Sequence, residues 1–117
     1  MRDVTIWHNP RCSKSRAALE LLQNAGITPQ VRLYLDAPPS TAELADVVHL
    51  LGGSPRVCLR TGETAYTELG LADSSKSDAE LIEAMAKHPI LIERPIVIAG
   101  DRAVLGRPPE RVRDLLG

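Results

Sequence analysis

Cys12 stands in the segment His8-Asn9-Pro10-Arg11-Cys12-Ser13-Lys14-Ser15-Arg16, whose residue types and spacing suit a reactive thiol. A β-rich run, Val4-Thr5-Ile6-Trp7, and the turn signal Asn9-Pro10 precede the cysteine, and an amphipathic stretch follows it. That order puts Cys12 at a helix N-terminus, where unpaired backbone N–H groups and the helix dipole favour negative charge. A thiol so placed has a lowered pKa, and the thiolate is the nucleophile. Ser15 completes a C-x-x-S arrangement, and its hydroxyl is expected to point back and donate to the sulfur, while Lys14 and Arg16 add positive charge. The polar neighbours on both sides predict an exposed thiol. A buried structural cysteine ahead of a helix is the plainer alternative, and it accounts less well for those neighbours.

With serine at position 15, Cys12 cannot close a local C-x-x-C disulfide. A small thiol or a partner protein is therefore expected to resolve its chemistry. Cys58 is the one internal alternative, but its neighbours Val57 and Leu59 point to a packed helical residue. The C-x5-R loop of cysteine phosphatases is absent, since Cys12 to Arg16 is only C-x3-R, too short to wrap a tetrahedral oxyanion. No metal is expected: His8 and Cys12 could supply two zinc ligands, but no third or fourth follows at the usual spacing.

The elements that must hold this segment can be read along the chain. Val4–Trp7 predicts a first strand, and Ala18, Leu21, Leu22 and Ala25 share one helical face that Gly26 ends. Val31, Leu33 and Leu35 alternate with Arg32 and Tyr34, which predicts a second strand. The middle is helical. Ser40 with Glu43 and Ser77 with Glu80 form capping-box pairs, and Ser54-Pro55 looks like a cap followed by a first-turn proline. Ile96-Val97-Ile98 reads as a strand covered on both faces, Gly100-Asp101 as a hairpin turn, and Ala103-Val104-Leu105 as the returning strand. Pro108-Pro109-Glu110 opens a last helix with Val112, Leu115 and Leu116 on one side. The order βαβ, helical segment, ββα is the plan of an α/β protein of thioredoxin-like fold. It has a mixed four-stranded sheet and a helical insertion at about 40–88, all in one domain spanning 1–117.

At 117 residues the chain is long enough for one hydrophobic core. The formal charge of −1 argues against a nucleic-acid binder, which needs excess Lys and Arg to offset phosphates. No apolar run approaches a membrane span, and Met1 to Trp7 is too short for a signal-peptide apolar region. A cytoplasmic location is expected, where both cysteines would rest as thiols.

The motifs resemble those of the glutaredoxin-coupled arsenate reductase family. The likeness begins with His8-Asn9-Pro10-x-Cys12-x-x-Ser15-Arg16 and continues through Leu33-Tyr34-Leu35, Leu59-Arg60, Leu69-Gly70-Leu71-Ala72 and His88-Pro89-Ile90-Leu91-Ile92. It closes with Arg94-Pro95-Ile96-Val97 and Gly106-Arg107-Pro108. The resemblance implies that Cys12 attacks arsenate, that glutathione adds to the arsenic, and that glutaredoxin recycles the mixed species as arsenite leaves. It implies that Arg60, Arg94 and Arg107 hold the oxyanion and lower the Cys12 pKa, guanidinium being a planar donor fork that stays charged. His8 is implied to support the thiolate, and Pro95 to be the cis-proline that sets Arg94 beside Cys12. The expected enzyme is thus an arsenic-detoxifying oxidoreductase, monomeric, with glutathione as co-substrate and no bound cofactor. Two alternatives stand: a redox-sensing regulator of the same superfamily that binds RNA polymerase, and a thiol reductase acting on another substrate. Such regulators typically carry the C-x-x-C that is missing here.

Overall fold

A computed structural model describes residues 3–115. The chain forms two compact units, one from residues 1–37 and 94–117 and the other from 38–93.

The first unit carries the sheet. Its elements are β1 (Val4–Trp7), α1 (Ser13–Asn24), β2 (Gln30–Arg32), β3 (Ile96–Ala99), β4 (Arg102–Leu105) and a closing 3-10 helix, Pro109–Leu115. The strand order is β2-β1-β3-β4; β1 runs parallel to β2, while β1–β3 and β3–β4 are antiparallel. This is the mixed four-stranded sheet that the sequence pattern predicts. Val4 and Ile6 of β1 and Val97 and Ala99 of β3 present one face to Ala18 and Leu22 of α1 and to Val112 and Leu115 of the 3-10 helix. Burying such aliphatic side chains stabilises the fold by about 1.5–3 kcal/mol for each of the larger ones. Ile96 and Val97 point to opposite sides of β3 and both are fully buried, as the unbroken apolar run predicts. Gly100, at φ 61°, supplies the left-handed turn between β3 and β4.

Two expectations fail in this unit. The second strand stops at Arg32, because the chain turns back through Asp36 N–H and Ala37 N–H, which both donate to Leu33 O at 3.0 and 2.9 Å. Around this turn Tyr34 is buried, while Val31, Leu33 and Leu35 are exposed. The last helix is 3-10 throughout its described length, and Leu116 lies outside the described residues.

The second unit contains α2 (Thr41–Leu50), a 3-10 turn at Pro55–Cys58, α3 (Thr64–Glu68), α4 (Asp78–Lys87) and a 3-10 turn at Pro89–Leu91. Both capping boxes form. Ser40 Oγ accepts from Glu43 N–H at 3.1 Å while Ser40 N–H donates to Glu43 Oε1 at 3.0 Å; the Ser77–Glu80 pair closes likewise, both bonds at 3.2 Å. Ser54 Oγ accepts from Arg56 N–H ahead of Pro55, as the cap-proline pattern predicts. α2 and α4 pack on one another and on the Pro55–Cys58 turn. The short helix α3 has no buried residue and so no apolar periodicity by which sequence reasoning could find it. Among the described residues, no helix is long and apolar enough to cross a membrane.

Candidate active site

The loop from β1 to α1 is knitted by its own side chains. Asn9 O accepts from Cys12 N–H and Asn9 Oδ1 from Arg11 N–H, both at 3.0 Å, which closes the turn that Asn-Pro announces. Arg16 Nη1 reaches back to Pro10 O at 2.8 Å. Cys12 is the N-cap of α1, with extended dihedrals of −95° and 121°, and the helix begins at Ser13.

The cysteine is buried, only 9% exposed, contrary to the exposure that its polar neighbours predict. Arg11, Ser13, Lys14 and Arg16 are exposed while the cap position faces in. Burial opposes ionisation, yet the thiol lies below the ordinary cysteine value. The backbone N–H of Ser15, the charge of Arg94, the N–H of Lys14 and an Arg94 hydrogen bond together outweigh desolvation. The amide N–H groups of the first helical turn, together with Arg94, are thus what favour the thiolate. Lys14 therefore contributes through its backbone, and its ammonium is not among the causes.

Ser15 has a different job from the one its spacing suggests. Its side chain is fully buried, and Oγ lies 2.6 Å from His8 Nδ1 and accepts from Asn9 N–H at 3.0 Å. The hydroxyl faces the imidazole, and it is the serine N–H that favours the thiolate. His8 leaves β1 with its own N–H on Arg32 O at 2.8 Å. Burial first, and then the charge of Arg16, lower its pKa from 6.5, so the ring is neutral at pH 7. Arg16 thus bears on His8 and braces the loop, a role absent from the sequence expectation.

Arg94 and Arg107 come together at the end of the sheet. Each precedes a cis-proline, at Arg94–Pro95 and Arg107–Pro108. The first matches the expectation for Pro95; the second has no sequence signal beyond the Arg-Pro pair. Arg107 Nη1 donates to Arg94 O at 3.2 Å.

Arg60 belongs to the second unit. There Leu59 pairs with Ile92 in an antiparallel bridge, framed by Arg60 N–H on Leu91 O at 2.8 Å and Glu93 N–H on Cys58 O at 2.7 Å. The Arg60 guanidinium sits 2.8 Å from Glu63 and 4.0 Å from Glu93. Glu63 could have been found as an i+3 partner in the sequence; Glu93 could not, since only the bridge brings it near. Cys58 is fully buried, with its thiol on Pro55 O at 3.5 Å, and burial pushes its pKa up to about 11. It is a packing residue, as its apolar neighbours predict.

The ArsC family profile matches residues 7–115, nearly the whole chain and every element of the site. The chain belongs to the ArsC family. Relatives within that family include the Escherichia coli protein YfgD, 50% identical over 99% of this chain and 98% of its own length. An arsenate reductase of Neisseria meningitidis is 47% identical over 99% of this chain and all of its own. Among solved structures, an arsenate reductase from Vibrio cholerae superposes with a TM-score of 0.93 at 51% identity, covering 97% of each chain. The ArsC relatives share the thioredoxin-like fold described above.

Proposed function

We propose that this ArsC protein is an oxidoreductase that reduces arsenate to arsenite, with Cys12 as the nucleophile. The observation that carries the reading is the buried Cys12 thiol at the start of α1, held below its ordinary pKa with Arg94 beside it. A nucleophile that must approach an anion needs its own charge and a cation nearby, and Arg94 answers both requirements. The names of the Neisseria and Vibrio relatives support arsenate as that anion.

The chemistry balances with two external thiols. The Cys12 thiolate displaces an oxygen ligand of arsenate, which leaves as water after protonation, and an S–As(V) bond forms. The glutathione thiol replaces a second oxygen ligand in the same way. A glutaredoxin thiolate then attacks the glutathione sulfur. The electron pair of the glutathione S–As bond passes to arsenic, which becomes As(III), and the two external sulfurs leave as a mixed disulfide. Water frees arsenite and restores the Cys12 thiol. Cys58, buried with a pKa of about 11, is unsuited to resolve the intermediate internally, which favours an external thiol and a reducing cytoplasm. Neutral His8 and Ser15 hold the loop around the thiol, and Arg94 and Arg107 are the guanidiniums proposed for the oxyanion; the motif resemblance alone adds Arg60 to them.

The test is arsenate-dependent NADPH oxidation with glutathione, glutaredoxin and glutathione reductase present. The parent should turn over. Arg94→Lys should lose at least about tenfold in kcat/KM despite keeping its charge, because an ammonium cannot supply the two-point fork. Full activity in that variant, or none in the parent, would overturn the assignment.

A further inference from the structure

Gly106 follows β4 directly and is buried, and its backbone lies outside the left-handed region, so no dihedral angle demands glycine there. The demand is for space. A Cβ at position 106 would stand 2.8 Å from Pro95 Cγ and 3.4 Å from both Pro95 Cδ and Ala18 Cβ. Carbon atoms pack at roughly 3.5–4.0 Å, so the first approach is a collision. Its partner is a proline ring fixed to the backbone, which cannot swing aside as a flexible side chain would. Gly26, Gly52, Gly53, Gly62 and Gly70, by contrast, would meet nothing within 4 Å.

The close approach serves two hydrogen bonds. Gly106 N–H donates to Pro95 O at 2.9 Å, and the next residue, Arg107, places Nη1 on Arg94 O at 3.2 Å. Successive residues leaving β4 therefore grip the successive carbonyls of the segment that carries the guanidinium acting on Cys12. We propose that Gly106 is a positioning residue: its missing side chain lets the chain close onto Pro95 and thereby seats Arg94 against Cys12. A side chain at 106 would wedge the Arg94–Pro95 segment away from its neighbours on one side and press on α1 through Ala18 on the other. Because Cys12 caps that helix, both displacements separate the charge from the sulfur.

The inference deepens the reductase reading, but its primary test needs no arsenate. Cys12 alkylation is followed against pH in a Cys58→Ser background, with circular dichroism to confirm folding. Gly106→Ala should slow alkylation near neutral pH by about fivefold, through loss of thiolate. Adding Arg94→Ala should slow it no further, because both changes remove the same influence. A Gly106→Ala protein that reacts like the parent, or whose loss adds fully to that of Arg94→Ala, overturns the proposal. Should Gly106→Ala not fold, Ala18→Gly combined with Gly106→Ala returns the methyl volume beside α1. That pair should still react more slowly than Ala18→Gly alone, and equal rates overturn the proposal. Arsenate turnover is measured alongside. A slowed thiol in a protein whose parent does not reduce arsenate leaves the role of Gly106 standing and removes the reductase assignment.

Discussion

Replacing Ser15 with alanine separates two roles that its position in C-x-x-S confounds. The hydroxyl is fully buried and is shared between His8 Nδ1 at 2.6 Å and Asn9 N–H at 3.0 Å. Deleting it strands the imidazole nitrogen of a residue only 6% exposed, which costs about 1–3 kcal/mol. The Asn9 N–H is only partly buried and can recruit water, adding about 0.5 kcal/mol. The expected loss is therefore about 1.5–3.5 kcal/mol, against a total stability of roughly 5–15 kcal/mol for a domain of this kind. The variant should stay folded at 25 °C but melt roughly 5–18 °C below the parent. Reactivity should behave differently. The group of Ser15 that favours the thiolate is its backbone N–H, which alanine retains, so the alkylation profile of Cys12 should change little. Urea melts give the first quantity and iodoacetamide kinetics with Cys58→Ser give the second. A stability within about 0.5 kcal/mol of the parent would refute the buried pairing. Alkylation slowed as much as in Arg94→Ala would return the hydroxyl to the sulfur.

Two further outcomes follow from the titrating groups. Cys12 should be alkylated readily at neutral pH and Cys58 only on unfolding, because one thiol is lowered and the other raised to about 11; Cys12→Ser should abolish coupled reduction and Cys58→Ser should retain most of it, and equal losses would indicate an internal relay. The folded His8 pKa lies below 6.5, so as pH falls through that value the unfolded chain takes up the proton first and stability declines. Thermal melts from pH 7.5 to 5 should show this decline, and His8→Gln should flatten it; an unchanged slope would mean that His8 is not the group responsible.

Much of this protein is written locally. The capping boxes at Ser40 and Ser77, the helix after Cys12 and the β3–β4 hairpin depend on residues within a few positions of each other, so pattern alone finds them. The same holds for Cys12 itself, since strand, turn and helix N-terminus are consecutive. Where non-local partners decide, the pattern misleads. Val31-Leu33-Leu35 alternates as a strand should, yet only the turn that buries Tyr34 determines which side faces in. The short helix α3 buries nothing and leaves no periodic trace.

The chemistry divides in the same way. By itself the sequence determined the candidate thiol, its place at a helix end and the absence of a neighbouring thiol, because these are matters of residue type and spacing. Tertiary structure alone decided how the thiol is activated. Pairing of Trp7 with Ile96 carries the Arg94–Pro95 segment to the end of β1 where the Cys12 loop begins. Closure of that loop on itself turns the Ser15 hydroxyl to His8, and its N–H is left to favour the thiolate. Burial of the sulfur is likewise a property of the assembled sheet and helix. Periodicity records which residues lie on one face of an element; the electrostatic environment of an atom depends on what other elements bring to it from far along the chain.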